Sequence, residues 1–274
     1  MTGRPLLFAA RNSFARDFPA CHRYATQVMR VDQALVERGI CESREKAKRA
    51  VMAGQALVNG QPARKPSDNV ADGDQLALVT PEQFVSRGGH KLDHALKHFQ
   101  VNVTGLTAID LGASTGGFTD CLLQTGATKV YAVDVGHGQL AWKLRQDPRV
   151  VVMEKTNARH LTPERMPQPF TLADLVVIDC SFISLQKILP PAVALLRPTG
   201  KIVALIKPQF EAGKAEVDKG AGVITDASIH DRVIRELEMF VNAESQLQWR
   251  HVTASPLLGP AGNKEFLVLI EKNG

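Results

Sequence analysis

The chain has 274 residues, 44% of them hydrophobic and 22% charged, a balance that excludes a wholly disordered protein and leaves room for one large and one small domain. Its 33 Lys and Arg stand against 28 Asp and Glu, a net +5 that suits an anionic partner without identifying one. Phe, Trp and Tyr make up 5%, too few for rows of aromatic rings to be the main grip on a nucleic acid.

Residues 1–28 carry Arg4, Arg11, Arg16 and Arg23 against one acid, Asp17. They read as a flexible N-terminal extension or as sequence ahead of a true start at Met29; an organelle transit peptide is the competing reading. Hydrophobic periodicity begins after Met29, and residues 29–80 read as a small α+β module. Val31, Ala34, Leu35 and Arg38 suit a first helix ending at Gly39. A second should start at the N-cap Ser43 and run to Met52 or Ala53, with Ala47, Ala50 and Val51 inward. Its outer faces hold Arg44, Lys46, Lys48 and Arg49 against Glu45. A strand over 56–58, the hairpin signal Asn59-Gly60, a return strand over 61–63, the Asp72-Gly73-Asp74 turn and a strand over 75–79 follow.

The stretches "RVDQALVERGICESREKAKRAVMAGQALVNGQP" and "VADGDQL" closely resemble the S4 RNA-binding domain. A helix face rich in cations can follow a phosphate backbone and set register without reading bases. The resemblance implies RNA contacts from Arg44, Lys46, Lys48 and Arg49, with Arg30 and Lys65 extending that surface.

Residues 81–90 read as a linker and 91–274 as a second domain. Strands are expected over 107–111, 129–134, 150–154, 174–179, 201–206, 246–253 and 266–271. Helices are expected over 117–124, 138–146, 183–196 and 227–241. Such alternation implies a doubly wound, mostly parallel sheet covered on both faces. The last two strands follow one another without a helix, so one of them should run antiparallel. Cys21, Cys41, Cys121 and Cys180 form no CxxC pair; they read as small buried residues in a reducing, cytoplasmic setting, and no metal-ligand cluster is visible. No run of about 18 apolar residues exists, so no membrane-spanning helix is expected.

The segment "TAIDLGASTGGFTDC" places Asp110 at a strand end, then Gly112, Ser114, Gly116, Gly117 and Phe118 in a glycine loop that opens a helix. Glycines allow a close backbone approach to a ligand. The order DxGxxxGG, in place of GxGxxG, suits a positively charged ligand without phosphate; S-adenosylmethionine fits. Asp134 follows 24 residues after Asp110, with Val135 beside it. Asp134 either holds ribose hydroxyls or caps a helix at Gly138. Asn157 either meets an adenine edge or is a turn residue.

Four more polar residues stand at element ends: Lys91 in "SRGGHKL", Asp179 in "DCSFISL", Lys207 in "LIKPQFE" and Glu265 in "GNKEF". With "DLGASTGGFTDCLL" and "VDVGHGQL", these motifs resemble the FtsJ/RrmJ-type ribose 2′-O-methyltransferase domain. Joined to an S4 module, the chain from Met29 resembles the TlyA family, whose old name is haemolysin. That resemblance implies a Rossmann-like, S-adenosylmethionine-dependent methyltransferase fold, ribosomal RNA or ribosomal subunits as partner, a cytidine ribose as target, and a tetrad of Lys91, Asp179, Lys207 and Glu265. In that tetrad Lys207 would stabilise the developing alkoxide or take its proton. Asp179 would hold Lys207, and Lys91 and Glu265 would orient the ribose. Two other readings compete: an S4 ribosome-assembly factor without transfer activity, and a membrane-active cytolysin. The Gly- and Lys-rich stretch over 208–226, beside Lys207, reads as a substrate lid or a surface linker.

Overall fold

The computed structural model describes residues 28–79 and 82–274. The expected extension over residues 1–28 lies outside the described residues except for Val28. The chain divides into two compact units, Met1–Pro81 and Glu82–Gly274.

The first unit runs β1 (Val28–Arg30), α1 (Val31–Glu37), α2 (Arg44–Met52), β2 (Ala56–Val58), β3 (Gln61–Pro62), β4 (Asn69–Ala71) and β5 (Leu76–Leu78). Ser43 caps α2 as its sequence requires, its hydroxyl accepting from the Lys46 amide at 3.3 Å. Asn59 and Gly60 both take positive φ, 50° and 79°, the left-handed pair that a two-residue hairpin turn needs. The Asn59 side chain also donates to Asp74 Oδ1 and accepts from the Gln75 amide, each at 2.8 Å. The hairpin turn and the Asp72-Gly73-Asp74 turn are therefore tied together. Strands β3, β2 and β5 form an antiparallel sheet. A second pair, β1 with β4, was not expected; its three-residue strands are joined by no short turn, so nothing local announces the pairing. Val31, Leu35, Ala47, Val51, Ala56 and Val70 form the core.

The second unit begins before the expected boundary. Phe84 is buried, and α3 spans Gly88–His98. A Cβ at Gly89 would lie 2.2 Å from Phe84 Cγ, so this glycine lets the ring close against the helix. The Gly88-Gly89 pair suggests a linker in the sequence; tertiary packing makes it a helix start, and the expected linker over 81–90 is corrected accordingly. The order continues β6 (Thr107–Leu111), α4 (Gly117–Gln124), β7 (Lys129–Val133), α5 (Trp142–Arg145), β8 (Val150–Met153), β9 (Ala173–Ile178), α6 (Leu185–Ala194) and β10 (Leu196–Ile206). Then come α7 (Pro208–Glu211), α8 (Lys214–Lys219), α9 (Ala227–Ala243), β11 (Leu247–Ala254) and β12 (Phe266–Lys272).

Seven strands form one sheet in the order β11-β12-β10-β9-β6-β7-β8. The five from β10 to β8 are parallel, and β12 runs antiparallel between β10 and β11. Apolar clusters fill both faces, one around Ile109, Val176 and Ile202, the other around Ala108, Val177 and Val203. Alternate residues of a strand point to opposite faces, which explains this split. The expected helix over 138–146 shrinks to α5. Glu154 accepts from the Gly138 amide at 2.9 Å and pairs with Arg145, and so holds the preceding segment as a loop. The 208–226 stretch carries two short helices and is tied down. Buried Asn263 accepts from the Ile224 amide and donates to the Gly222 carbonyl, each at 2.9 Å.

Candidate active site

Three of the four tetrad candidates stand just outside strands. Asp179 follows the last residue of β9, Lys207 follows β10, and Glu265 precedes β12. Lys91 comes from α3. Lys207 Nζ lies 2.6 Å from Asp179 Oδ1 and donates to Ser181 Oγ at 2.8 Å. The contact with Asp179 is a charge contact without the alignment of a hydrogen bond, so that oxygen keeps accepting capacity. Lys91 Nζ lies 2.5 Å from Glu265 Oε2, with both side chains nearly sealed from solvent. All four residues, with Ser86, Arg87 and Ser181, line one cavity of about 290 Å³.

A second cavity of about 460 Å³ is lined by Asp134, Val135, Asn157 and Phe182 among others, and shares Gly112, Ser114, Asp179 and Ser181 with the first. Gly112 sets the two side by side. Its φ is +90°, and a Cβ there would lie 2.6 Å from the Asp179 carbonyl oxygen, so only glycine lets the β6 loop meet the end of β9. The Asp134 carboxylate accepts from the Ser114 amide at 2.8 Å and the Gly136 amide at 2.6 Å. It organises the loop and caps no helix at Gly138. Asn157 Oδ1 accepts from the Arg159 amide at 3.0 Å, which leaves its Nδ2 as a free donor at the cavity. Val135, 69% exposed, offers an apolar wall.

Two predicted ligand residues are placed elsewhere. Asp110 lies within β6, fully buried, and lines neither cavity; its Oδ2 accepts from Thr119 Oγ1 at 2.7 Å. Burial raises its carboxyl to about 7; the Thr119 hydrogen bond opposes the shift, and the charge of Asp179 adds to it. Gly116, at φ +96°, also lines neither cavity; a Cβ there would strike Leu144. These two residues shape the loop from beneath. Gly117 and Phe118 line the first cavity, not the second. Cys180 reaches the second cavity, but burial pushes its thiol up to about 12, which makes it inert.

Sequence reasoning missed Ser181, Phe182, Arg87 and Leu257. Ser181 sits inside the "DCSFISL" motif and carried a local signal; Leu257 comes from the loop before β12 and carried none. Phe182 is 89% exposed and lies 5.0 Å, ring to ring, from Phe210. Among the described residues no cluster of His, Cys, Asp and Glu could hold a metal ion.

On the first unit, Arg30 and Arg44 share the buried carboxylate of Asp32, at 2.9 and 3.0 Å. Lys46 pairs with Glu42, and Lys48 with Glu45 at 2.9 Å. The exposed side chains of Arg49 and Lys65 have no carboxylate partner among the described residues.

The sheet order with its antiparallel strand beside β10, the glycine loop and the two conjoined cavities define a methyltransferase-type α/β domain, here preceded by an S4-type unit. The FtsJ-like methyltransferase family matches residues 84–272 and the S4 domain residues 29–76, and the chain belongs to the FtsJ-like methyltransferase family. It is 49% identical to the candidate rRNA methyltransferase YqxC of Bacillus subtilis, over 87% of this chain and 84% of that one. It is 47% identical to the 16S/23S rRNA (cytidine-2′-O)-methyltransferase TlyA of Mycobacterium tuberculosis, over 87% of this chain and 88% of that one. A solved structure of a candidate hemolysin from Streptococcus thermophilus superposes with a TM-score of 0.67 at 44% identity, covering 91% of this chain and 90% of that one.

Proposed function

We propose that this protein transfers a methyl group from S-adenosylmethionine to the 2′-hydroxyl of a cytidine ribose in ribosomal RNA. The observation that carries this reading is the paired tetrad, Lys207–Asp179 and Lys91–Glu265, around one cavity that opens onto a second.

The second cavity fits the cofactor by its chemistry. Asp134, already polarised by two amides, would hold ribose hydroxyls, Asn157 Nδ2 would donate to an adenine acceptor, and Val135 would cover the base. The carboxylate of Asp179, at the junction, faces positive charge. When bound, S-adenosylmethionine supplies an electrophilic methyl carbon. The chain's own residues do the rest. Lys207 Nζ donates to Ser181 and stands beside Asp179, and its remaining N–H groups are available to the 2′-oxygen. The Lys207 ammonium steadies the charge that develops on the 2′-oxygen, and the hydroxyl proton passes to Asp179 Oδ1, which keeps accepting capacity, as the oxygen takes the methyl group. The nearly buried Lys91–Glu265 pair lines the same cavity and would hold the ribose in line, so most acceleration comes from alignment. The cations of the S4-type unit add affinity by contacting RNA phosphates.

Transfer of a labelled methyl group to unmodified ribosomal subunits, followed by mapping of 2′-O-methyl positions, tests this. Absence of labelled cytidine ribose in both subunits overturns it. The name hemolysin among relatives raises membrane activity as an alternative. Among the described residues no helix is long and apolar enough to cross a membrane, and liposome leakage at catalytic protein concentrations would be the contrary result.

A further inference from the structure

Three histidines recur along α3 at 90, 94 and 98, a spacing of four that places them on one face of the helix. They line an open groove of about 700 Å³ with Asp93, Lys97, Pro256 and Leu257. The rings of His94 and His98 lie 5.8 Å apart and 21° from parallel. The His98 ring meets Phe99 edge-on at 5.3 Å, and Phe99 in turn stacks on His251 of β11 at 6.4 Å and 19°. These imidazoles are absent from the 5% aromatic count, which covers only Phe, Trp and Tyr.

Charge in the groove is nearly balanced. Lys97 Nζ is 2.7 Å from Asp93, and His90 lies 3.7 Å from Glu82. The surface therefore offers planar, weakly polar ring faces more than a site for an anion. It also lies next to the catalytic cavity. Leu257 lines both, and α3 itself carries Lys91 into the cavity.

We propose that this groove seats a nucleobase of the RNA strand adjoining the target ribose, stacked on the imidazole faces of His94 and His98. The proposal rests on the reading of the chain as an RNA ribose methyltransferase. Histidine rings serve as stacking partners for splayed bases, and such stacking tolerates any base. The groove gives the strand a second hold, across Leu257 from the site of transfer.

The test uses the full chain and a fluorescein-labelled eight-nucleotide single-stranded RNA in 0.3 M KCl, where phosphate contacts are screened and stacking persists. Fluorescence anisotropy should show the pair His94→Ala and His98→Ala binding about tenfold more weakly than the unaltered chain. The pair His94→Phe and His98→Phe should stay within about threefold of the unaltered chain, since it keeps ring faces. An abasic version of the RNA should bind all three chains alike. Equal affinity of the alanine pair and the unaltered chain, including no measurable binding by either, overturns the proposal. So does a phenylalanine pair as weak as the alanine pair. Thermal unfolding of each variant controls for folding. Methyl transfer to ribosomal subunits is measured separately: base-dependent binding without transfer would sink the reaction and leave the groove standing.

Discussion

Both units set lysines against carboxylates, and solvent makes the pairs different devices. At α2, Lys46–Glu42 and Lys48–Glu45 are exposed, and water and salt screen away most of the attraction in such pairs. Either can be exchanged for a phosphate at little cost. In the second unit, Lys91–Glu265 is nearly buried at the cavity wall, and little water reaches either charge. There the pair is held in one geometry because breaking it leaves a bare buried charge. Lys207–Asp179 lies between these extremes, with the Asp179 side chain 23% exposed and facing the cavity. A gradient of burial thus separates charges that grip, charges that react and charges that only hold.

The largest effect should come from the reacting pair. Lys207→Ala should lower the rate of methyl transfer by about 10³-fold or more, while isothermal titration finds cofactor affinity within a few-fold of the unaltered chain. Lost cofactor affinity in a folded variant would remove Lys207 from the reacting group. Next is the sealed pair. Glu265→Ala leaves Lys91 unpaired and should destabilise the second unit by about 3–5 kcal/mol in denaturant unfolding. A cost below about 1 kcal/mol would mean the pair is wetter than its geometry shows.

Asp110 is the sealed acid without a cation. Its folded-state carboxyl is raised to about 7, mainly by burial, from an ordinary value of 3.8. The folded state therefore prefers the protonated acid. That contribution is fully present below the ordinary value and is lost as pH rises through about 7, by at most about 1.4 kcal/mol per pH unit. Asp110→Asn should abolish this dependence, so the two chains' unfolding free energies should diverge in the variant's favour between pH 4 and 7. Parallel curves would show that Asp110 is ionised in the fold.

The exposed charges should matter least. Arg49→Ala should weaken RNA binding a few-fold for all sequences alike and reduce the salt slope by about 1. Lys46→Ala should change stability by less than about 0.5 kcal/mol. A large stability loss at either position would make α2 a structural face.

Most elements of both units were legible because each carries a local cause. Ser43 caps, Asn59-Gly60 turns, and dense apolar runs such as 175–178 and 202–206 have the length of buried strands. The β1–β4 pair and α3 were not legible. The first depends on two short segments meeting, and the second begins at two glycines packed against Phe118 and Phe84.

The site divides in the same way. Motif order brought out Asp134, Asp179 and Lys207, each one residue beyond a strand end, where the side chain leaves the sheet and enters the cavity. Asp110 carries an equal signal but lies one residue before its strand ends, so its side chain turns into the packed layer. That single step along the chain is invisible to composition or spacing. The clustering of Lys46, Lys48 and Arg49 on one helix was also plain, against a net charge for residues 29–80 of only +1, from eight cations and seven acids. The sequence by itself determined the two units, the alternation that makes a parallel sheet, and the residues able to do proton chemistry. Those follow from periodicity, capping and residue type, which act over a few residues. Only the tertiary structure decided which charges pair, which acid is buried, and how the histidines of α3 come to lie beside the catalytic cavity. Pairing, burial and adjacency depend on segments distant in sequence, such as Lys91 and Glu265, and exist only once the sheet has brought them together.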